Sequence, residues 1–213
     1  MQRAIAESLL DIEAVTLRVD PPFTWASGRL APIYCDNRLL LSHPERREQV
    51  AGAFAALLDE RGWRPDVIAG TATAGIPHAA WLAQRTRLPM IYVRSAAKGH
   101  GKRGRIEGAL GAGRSVVLVE DLISTGGSSL AAAEAIAEAG GRLLGVAAIF
   151  TYGLEVAARR FDEAGVALAP LTDFRTLMEV ARDRGGLSAA DKAILTDWQR
   201  DPAGWSAARG GAG

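Results

Sequence analysis

Two carboxylates stand immediately before a turn of small residues in the stretch VVLVEDLISTGGSS, residues 116–129. Residues 124–129 bring hydroxyls, glycines and backbone N–H groups to the start of a predicted helix, and together these groups favour a bound phosphate. Glu120 and Asp121 would repel that phosphate, so they must face another part of the ligand. Because two carboxylates can accept hydrogen bonds from two vicinal hydroxyls, the stretch predicts a site for a ribose 5-phosphate. The alternative is a solvated strand end followed by an ordinary helix cap.

The elements that must position these residues alternate between apolar strands and helices. The pattern predicts strands over 66–70, 89–95, 116–121, 142–152 and 166–171, and helices over 75–86, 127–140, 153–165, 173–183 and 188–200. This alternation predicts an α/β fold with a mainly parallel, twisted sheet of about five strands flanked by helices. Ligands of such sheets bind beyond the carboxyl ends of the strands, which is where the acid pair falls.

The N-terminal part of the chain lacks this alternation. A first helix is predicted from Arg3 to about Val15, because its apolar residues recur with helical spacing. The segment 18–38 is rich in proline, glycine and aromatic residues, and we interpret it as an ordered loop with short strands. A second helix should begin at SHPE, with Ser42 as its cap, and end at Gly62.

We expect one domain over residues 1–213. Residues 1–45 should form a helix and a small hood over the strand ends, and 46–172 the α/β core. Residues 173–213 should form C-terminal helices and a flexible tail of small residues.

Composition argues against several classes of protein. The formal net charge is +1, which does not indicate binding to nucleic acid or a membrane. Cys35 is the one cysteine, so an internal disulfide and a multi-cysteine zinc site are excluded. His43 and His78 have no metal-ligand partners at useful spacing, so we predict no metal bound by protein side chains. With no apolar run long enough to span a membrane, we expect a cytoplasmic protein.

Several stretches resemble one enzyme family. The stretch at 116–129 resembles the phosphoribosyl-diphosphate (PRPP) signature of type I phosphoribosyltransferases. FTWASGRLAPIYCDNR (23–38), GTATAGIPHA (70–79), VRSAAKGHGKRGRIEG (93–108) and FTYG (150–153) resemble orotate phosphoribosyltransferases of the branch common among Gram-positive bacteria. The resemblance implies transfer of 5-phosphoribosyl from PRPP to orotate, which gives orotidine 5′-monophosphate and diphosphate in UMP biosynthesis.

The resemblance also implies how PRPP is held. Glu120 and Asp121 would bind the 2′- and 3′-hydroxyls of the ribose. The residues that complete the PRPP site around the 5′-phosphate are Leu122, Ile123, Ser124, Thr125, Gly126, Gly127 and Ser128. A second turn, Thr71, Ala72 and Thr73, would wrap the diphosphate. Mg²⁺ would arrive with the diphosphate, as suits a cation that keeps several waters and binds phosphate oxygens.

The basic, glycine-rich segment 94–108 has no helical pattern, and a solvated loop is its simplest interpretation. In a chain of near-zero net charge, such a concentration of cations also suits a loop that closes over a departing diphosphate and excludes water. The resemblance implies that Arg94, Lys98 and His100 contact the diphosphate. Lys98 would come from the neighbouring subunit of a homodimer, and Lys98 and His100 join the acid pair as catalytic candidates.

For the base, the resemblance places orotate between the N-terminal block and the acid-pair loop, with Ser124 as a hydrogen-bonding residue. Two lysines of other branches are replaced by Ala26 and Ala74, and an arginine of those branches is missing near Tyr152. Arg38 or Arg29 could bind the orotate carboxylate instead. Trp25 and Tyr34 are stacking candidates, with ordinary core aromatics as an equally good interpretation.

Two alternative functions remain open at this stage. One is a phosphoribosyltransferase for another base, against which the block at 23–38 argues. The other is a non-catalytic regulator that senses PRPP, which would need no cationic closing loop.

Overall fold

A computed structural model of the chain describes residues 1–96 and 104–213, so the predicted roles of Lys98 and His100 fall outside the described residues. Its helices are α1 (Gln2–Asp11), a 3₁₀ helix (Asn37–Ser42), α2 (Pro44–Glu60), α3 (Gly75–Thr86), α4 (Gly127–Glu138), α5 (Glu155–Glu163), α6 (Phe174–Asp183), α7 (Ala189–Arg200) and α8 (Pro202–Ala207). Its strands are β1 (Val15–Leu17), β2 (Phe23–Thr24), β3 (Leu30–Ala31), β4 (Ile33–Cys35), β5 (Val67–Thr71), β6 (Met90–Val93), β7 (Ile106–Glu107), β8 (Ser115–Ile123), β9 (Arg142–Thr151) and β10 (Leu168–Asp173).

The central sheet has six strands in the order β10-β9-β8-β5-β6-β7. The pairs from β10 to β6 are parallel, and β7 pairs antiparallel with β6. The predicted α/β fold with a mainly parallel sheet is therefore confirmed. The additional strand is β7, a two-residue edge strand too short to show a period in the sequence.

Helices cover both faces of this sheet, which explains the continuous apolar runs of its strands. Along β8, Val117 and Val119 pack with Phe54 of α2 and others in one buried cluster. Val116 and Leu118 point the other way, into a second cluster. The strict alternation of side chains along a strand thus divides one apolar run between two cores.

The N-terminal segment differs in two places from its prediction. The first helix ends at Asp11 and does not reach Val15, because Val15 pairs with Cys35 in the antiparallel β1–β4 ribbon. Ser42 is not the cap of α2: it ends the 3₁₀ helix, and His43 holds the N-cap position without a side-chain hydrogen bond. The predicted short strands within 18–38 are present as β2, β3 and β4.

The C-terminal segment returns to the N-terminal hood. Helix α8 packs beside β3, and the buried hydroxyl of Ser206 accepts a hydrogen bond from the Leu30 N–H at 2.9 Å. The Ala212 N–H donates to the Gly28 carbonyl at 3.0 Å. These contacts give residues predicted as a flexible tail a defined place against the hood.

Candidate active site

The acid pair lies on the last residues of β8, which reaches Ile123 and not only the predicted 121. Pairing with β5 stops at Gly70 and Val119, whereas pairing with β9 continues to Ile123 and Thr151. Glu120 and Asp121 therefore stand where β5 has already turned away. The start of α3 fills the space beside them, since a Cβ on Gly75 would lie 2.5 Å from the Val119 carbonyl oxygen. A glycine at this position lets the turn after β5 approach the acid pair.

The Glu120 side chain is held under the start of α4. It is only 5% exposed. Its Oε2 accepts hydrogen bonds from the hydroxyls of Ser129 at 2.9 Å and Ser128 at 3.3 Å, and its Oε1 accepts from the Asp121 N–H at 3.1 Å. These contacts lock one carboxyl to the turn predicted to hold phosphate.

The two carboxyls also determine each other's charge. Burial raises the pKa of Glu120 to about 8, and the neighbouring Asp121 carboxylate adds to the rise. Burial raises the pKa of Asp121 too, while a hydrogen bond from Glu120 opposes that rise. The pair therefore resists carrying two negative charges at once.

The turn between β8 and α4 has the form of an anion site. Gly126 stands at the N-cap of α4 with φ of 78° and no side-chain cap, so the first N–H groups of the helix are open to a ligand. A Cβ on Gly126 would lie 2.7 Å from the Phe161 ring, so sterics and backbone conformation both require glycine there. Arg160 donates to the Thr125 carbonyl at 3.2 Å and steadies the turn from outside.

The predicted diphosphate turn follows β5 at the same edge of the sheet. Thr71 is 4% exposed, and its hydroxyl has no hydrogen-bond partner among the described residues. The peptide bond between Ala72 and Thr73 is cis. The Ala72 N–H donates to the Val93 carbonyl at 2.9 Å, so this N–H belongs to the sheet and not to a ligand.

A cavity of about 290 Å³ lies beside Ser124, between the hood and the ends of β8 and β9. Its lining residues are Trp25, Ala26, Tyr34, Cys35, Leu122, Ser124 and Tyr152. Trp25 stacks on Tyr152 with ring centroids 5.7 Å apart, and its indole N–H donates to the Ile33 carbonyl at 3.1 Å. Burial raises the pKa of the Tyr152 hydroxyl and of the Cys35 thiol, so both are neutral. The cavity suits a flat, uncharged ring face.

The two arginines suggested for the orotate carboxylate do not line this cavity. Arg38 forms a bidentate pair with Asp36, at 2.6 and 2.9 Å. Arg29 donates two hydrogen bonds to the Gly213 carbonyl, at 3.1 and 3.0 Å. Arg29 does line a neighbouring cavity of about 320 Å³ that shares Trp25 and Ser124 with the first.

Asn37 is a site residue that sequence analysis missed. It is 1% exposed, and its Nδ2 donates to the Asp121 backbone carbonyl at 2.7 Å. The start of the 3₁₀ helix is thereby attached to the acid pair. An amide beside Asp36 and Arg38 in the sequence looks like a polar loop residue, and only its burial shows otherwise.

Arg94 stands where β6 ends and the basic loop begins. Its guanidinium lies 3.5 Å from the Glu107 carboxylate, and its backbone N–H donates to the Arg105 carbonyl at 2.8 Å. Arg105 in turn donates to the Ala131 carbonyl of α4 at 2.8 Å. Both ends of the loop are thus anchored at the same edge of the sheet as the acid pair.

The chain matches a protein-family model over more than half of its length. The phosphoribosyl transferase domain model matches residues 38–167, more than half of the chain. This range contains both predicted turns, the acid pair and the basic loop.

Relatives of known name extend the similarity beyond that range. An orotate phosphoribosyltransferase of Listeria innocua is 51% identical over 205 residues, covering 96% of this chain and 98% of the relative. One of Halalkalibacterium halodurans is 51% identical over 206 residues, covering 97% and 98%. The solved orotate phosphoribosyltransferase of Aeropyrum pernix has a TM-score of 0.74 at 28% identity, covering 86% of this chain and 99% of its own.

The pKa of Glu120 predicts how stability depends on pH. In the folded state this carboxyl keeps its proton up to about pH 8, whereas in the unfolded chain it releases the proton near 4.5. Its contribution to the free energy of unfolding is therefore lost as pH rises from 4.5 through 8. Glu120→Gln removes this loss, so we expect the ligand-free variant to gain stability relative to wild type between pH 5 and pH 9. Urea unfolding of the wild type and the variant at pH 5 and at pH 9 measures the difference in their free energies of unfolding. Glu138→Gln, at the exposed end of α4, is the control, and an equal gain there would contradict the assignment.

Gly126 offers a second test. Gly126→Ala should lower the free energy of unfolding by more than the ~1–2 kcal/mol that a left-handed conformation costs an L-residue, because the added methyl meets Phe161. Gly185→Ala is the matched control, since Gly185 has φ of 74° and an added Cβ there would meet nothing within 4 Å. Equal losses in urea unfolding would show that the contact with Phe161 does not constrain the turn.

Proposed function

The chain belongs to the orotate phosphoribosyltransferase family of pyrimidine biosynthesis, and we propose how its site transfers 5-phosphoribosyl from PRPP to orotate. The observation that carries the proposal is the placement of the acid pair, with Glu120 buried and Asp121 partly buried, between two features. One is the open N-terminus of α4, and the other is the 290 Å³ cavity of the hood. A ribose 5-phosphate and a flat base fit this order of groups.

In the proposal, the 5′-phosphate of PRPP binds the N–H groups and hydroxyls of residues 124–128 at the start of α4. The ribose hydroxyls bind Asp121 and Glu120. Each carboxylate oxygen can accept two hydrogen bonds, and the Glu120 Oε1 has one donor in the described contacts, the Asp121 N–H. A bound sugar diol would satisfy the remaining acceptor positions of the pair.

The diphosphate of PRPP binds beside the turn Thr71–Thr73. The Thr71 hydroxyl, buried without a partner among the described residues, is a candidate donor, and Arg94 at the mouth of the loop is a second. Lys98 and His100 complete this part of the proposal, with the loop contributed by the other subunit of a homodimer.

A cytoplasmic location remains part of the proposal as well.

Mg²⁺ fits the oxygen chemistry of this edge. The described residues contain no cluster of three or more potential metal ligands, and in the proposal Mg²⁺ is bound through the phosphate oxygens of PRPP. This mode of binding suits an ion that keeps several waters and binds phosphate oxygens. When bound, Mg²⁺ neutralises charge on the diphosphate.

Orotate occupies the 290 Å³ cavity, with its ring against Trp25 and Tyr152 and with Ser124 as a hydrogen-bonding partner. A base nitrogen forms the new bond to C1 of the ribose and gives up its proton, which is taken up by the departing diphosphate or by water. The bond from C1 to the diphosphate oxygen breaks at the same time, and the bonding pair leaves with diphosphate. Positive charge develops on the sugar, close to the acid pair. The negative charge of the acid pair stabilises it, because charges interact strongly where little water separates them.

The reaction itself is the first test. Purified protein with PRPP and Mg²⁺ should consume orotate, followed by the loss of its ultraviolet absorbance, and release diphosphate. Diphosphate release with a different base and not with orotate would identify a phosphoribosyltransferase of other specificity. Tight PRPP binding without diphosphate release for any base would indicate a regulator.

Lys98 is the second test. We expect Lys98→Ala to lower the turnover number about 100-fold with smaller changes in KM, because the proposed contact strengthens as the diphosphate gains charge. Steady-state kinetics with Lys102→Ala as the same-loop control measures the effect. An unchanged turnover number for Lys98→Ala would remove this residue from the mechanism.

A further inference from the structure

The hairpin β2–β3 of the hood contributes one wall of the cavity proposed for the base. Between its two strands, the Trp25 N–H donates to the Arg29 carbonyl at 2.8 Å, which closes the turn. The Trp25 indole stacks on Tyr152 and meets the edge of Trp198 at 5.9 Å between centroids. Each strand of the hairpin is only two residues long, and an isolated ribbon of this size is marginally stable. Its position must therefore be stabilised from elsewhere.

The C-terminal segment, residues 206–213, provides that support. The Ser206 hydroxyl is fully buried, accepts from the Leu30 N–H and donates to the Ala212 carbonyl at 2.5 Å. The Ala212 N–H donates to the Gly28 carbonyl, and Arg29 donates to the Gly213 carbonyl. Three consecutive residues of the hairpin, Gly28 to Leu30, are thus each hydrogen-bonded to this segment.

Close packing accompanies these hydrogen bonds. A Cβ on Gly211 would lie 2.5 Å from the Ser206 hydroxyl oxygen, 2.7 Å from Leu30 Cγ and 3.1 Å from the Leu30 nitrogen. An added methyl group would therefore press on both partners of the hydrogen bond from the Leu30 N–H to the Ser206 hydroxyl. By contrast, a Cβ on Gly213 would meet nothing within 4 Å.

We propose that residues 206–213 form a clasp that positions the hood hairpin, and through it Trp25, for binding of the planar base. Ser206 is a positioning residue in this proposal, because it links β3 to the returning chain without lining the base cavity. The proposal rests on the proposed function, since it assigns the cavity beside Trp25 to the base substrate.

The clasp affects binding of the base more than binding of PRPP, because different elements of the fold contact the two substrates. The proposed phosphate and diol contacts are made by β8 and α4, which none of the described hydrogen bonds of residues 206–213 reaches. The cavity for the base has Trp25 on one side, and Trp25 belongs to the clasped turn. Loosening the clasp therefore changes base binding while the PRPP contacts remain.

The test compares two glycines of the clasp. Gly211→Ala inserts a methyl group where Ser206 and Leu30 already pack, and Gly213→Ala is the matched control with free space. We expect Gly211→Ala to raise KM for orotate about 5- to 10-fold, the effect of losing roughly one hydrogen bond. KM for PRPP should stay within about twofold of wild type, and Gly213→Ala should match wild type for both substrates.

Ser206→Ala provides a second variant, which removes two hydrogen bonds without adding bulk. It should shift KM for orotate in the same direction, and calorimetric titration with orotate in the presence of diphosphate should show the same loss of affinity. Unchanged KM for orotate in both variants, or a proportional rise for both substrates, would overturn the clasp. Absence of orotate turnover in the wild type would instead overturn the proposed function, so the two failures are distinguishable.

Discussion

The structure depends on holding two adjacent carboxyls at the carboxyl end of β8, with Glu120 buried and Asp121 partly buried. Ionising both groups in this setting is unfavourable, because burial removes water and the two charges repel each other. The fold meets the constraint with two serine hydroxyls and a backbone N–H on Glu120, and with a proton retained up to about pH 8.

The same constraint explains the surroundings of the pair. Strand β5 ends early and Gly75 admits the start of α3, so the turn after β5 comes to the acid strand. Asn37 attaches the 3₁₀ helix to the Asp121 carbonyl. Gly126 lets α4 begin directly after β8. Each contact comes from a different part of the chain, and together they place the proposed phosphate, sugar and base sites side by side.

The hood shows how a small substructure acquires a defined position. Its two-stranded ribbons have little core of their own, and their order comes from aromatic contacts with Tyr152 and Trp198 and from hydrogen bonds with the C-terminal segment. Ala26 lines the cavity proposed for the base and offers it no charged group. Aromatic surface and hood geometry are therefore the main means of recognition that the described residues of the cavity offer.

The sequence by itself determined the α/β class, the order of the core elements and the adjacency of the acid pair to a helix start. These features follow from local periodicity, from glycine and serine at a turn, and from a motif with contiguous residues. Tertiary structure alone decided that α1 stops at Asp11, that Asn37 binds Asp121, and that Ser206 binds β3. Each of these depends on a partner far away in the chain, and a pairing between distant backbone groups leaves no periodic trace in either segment.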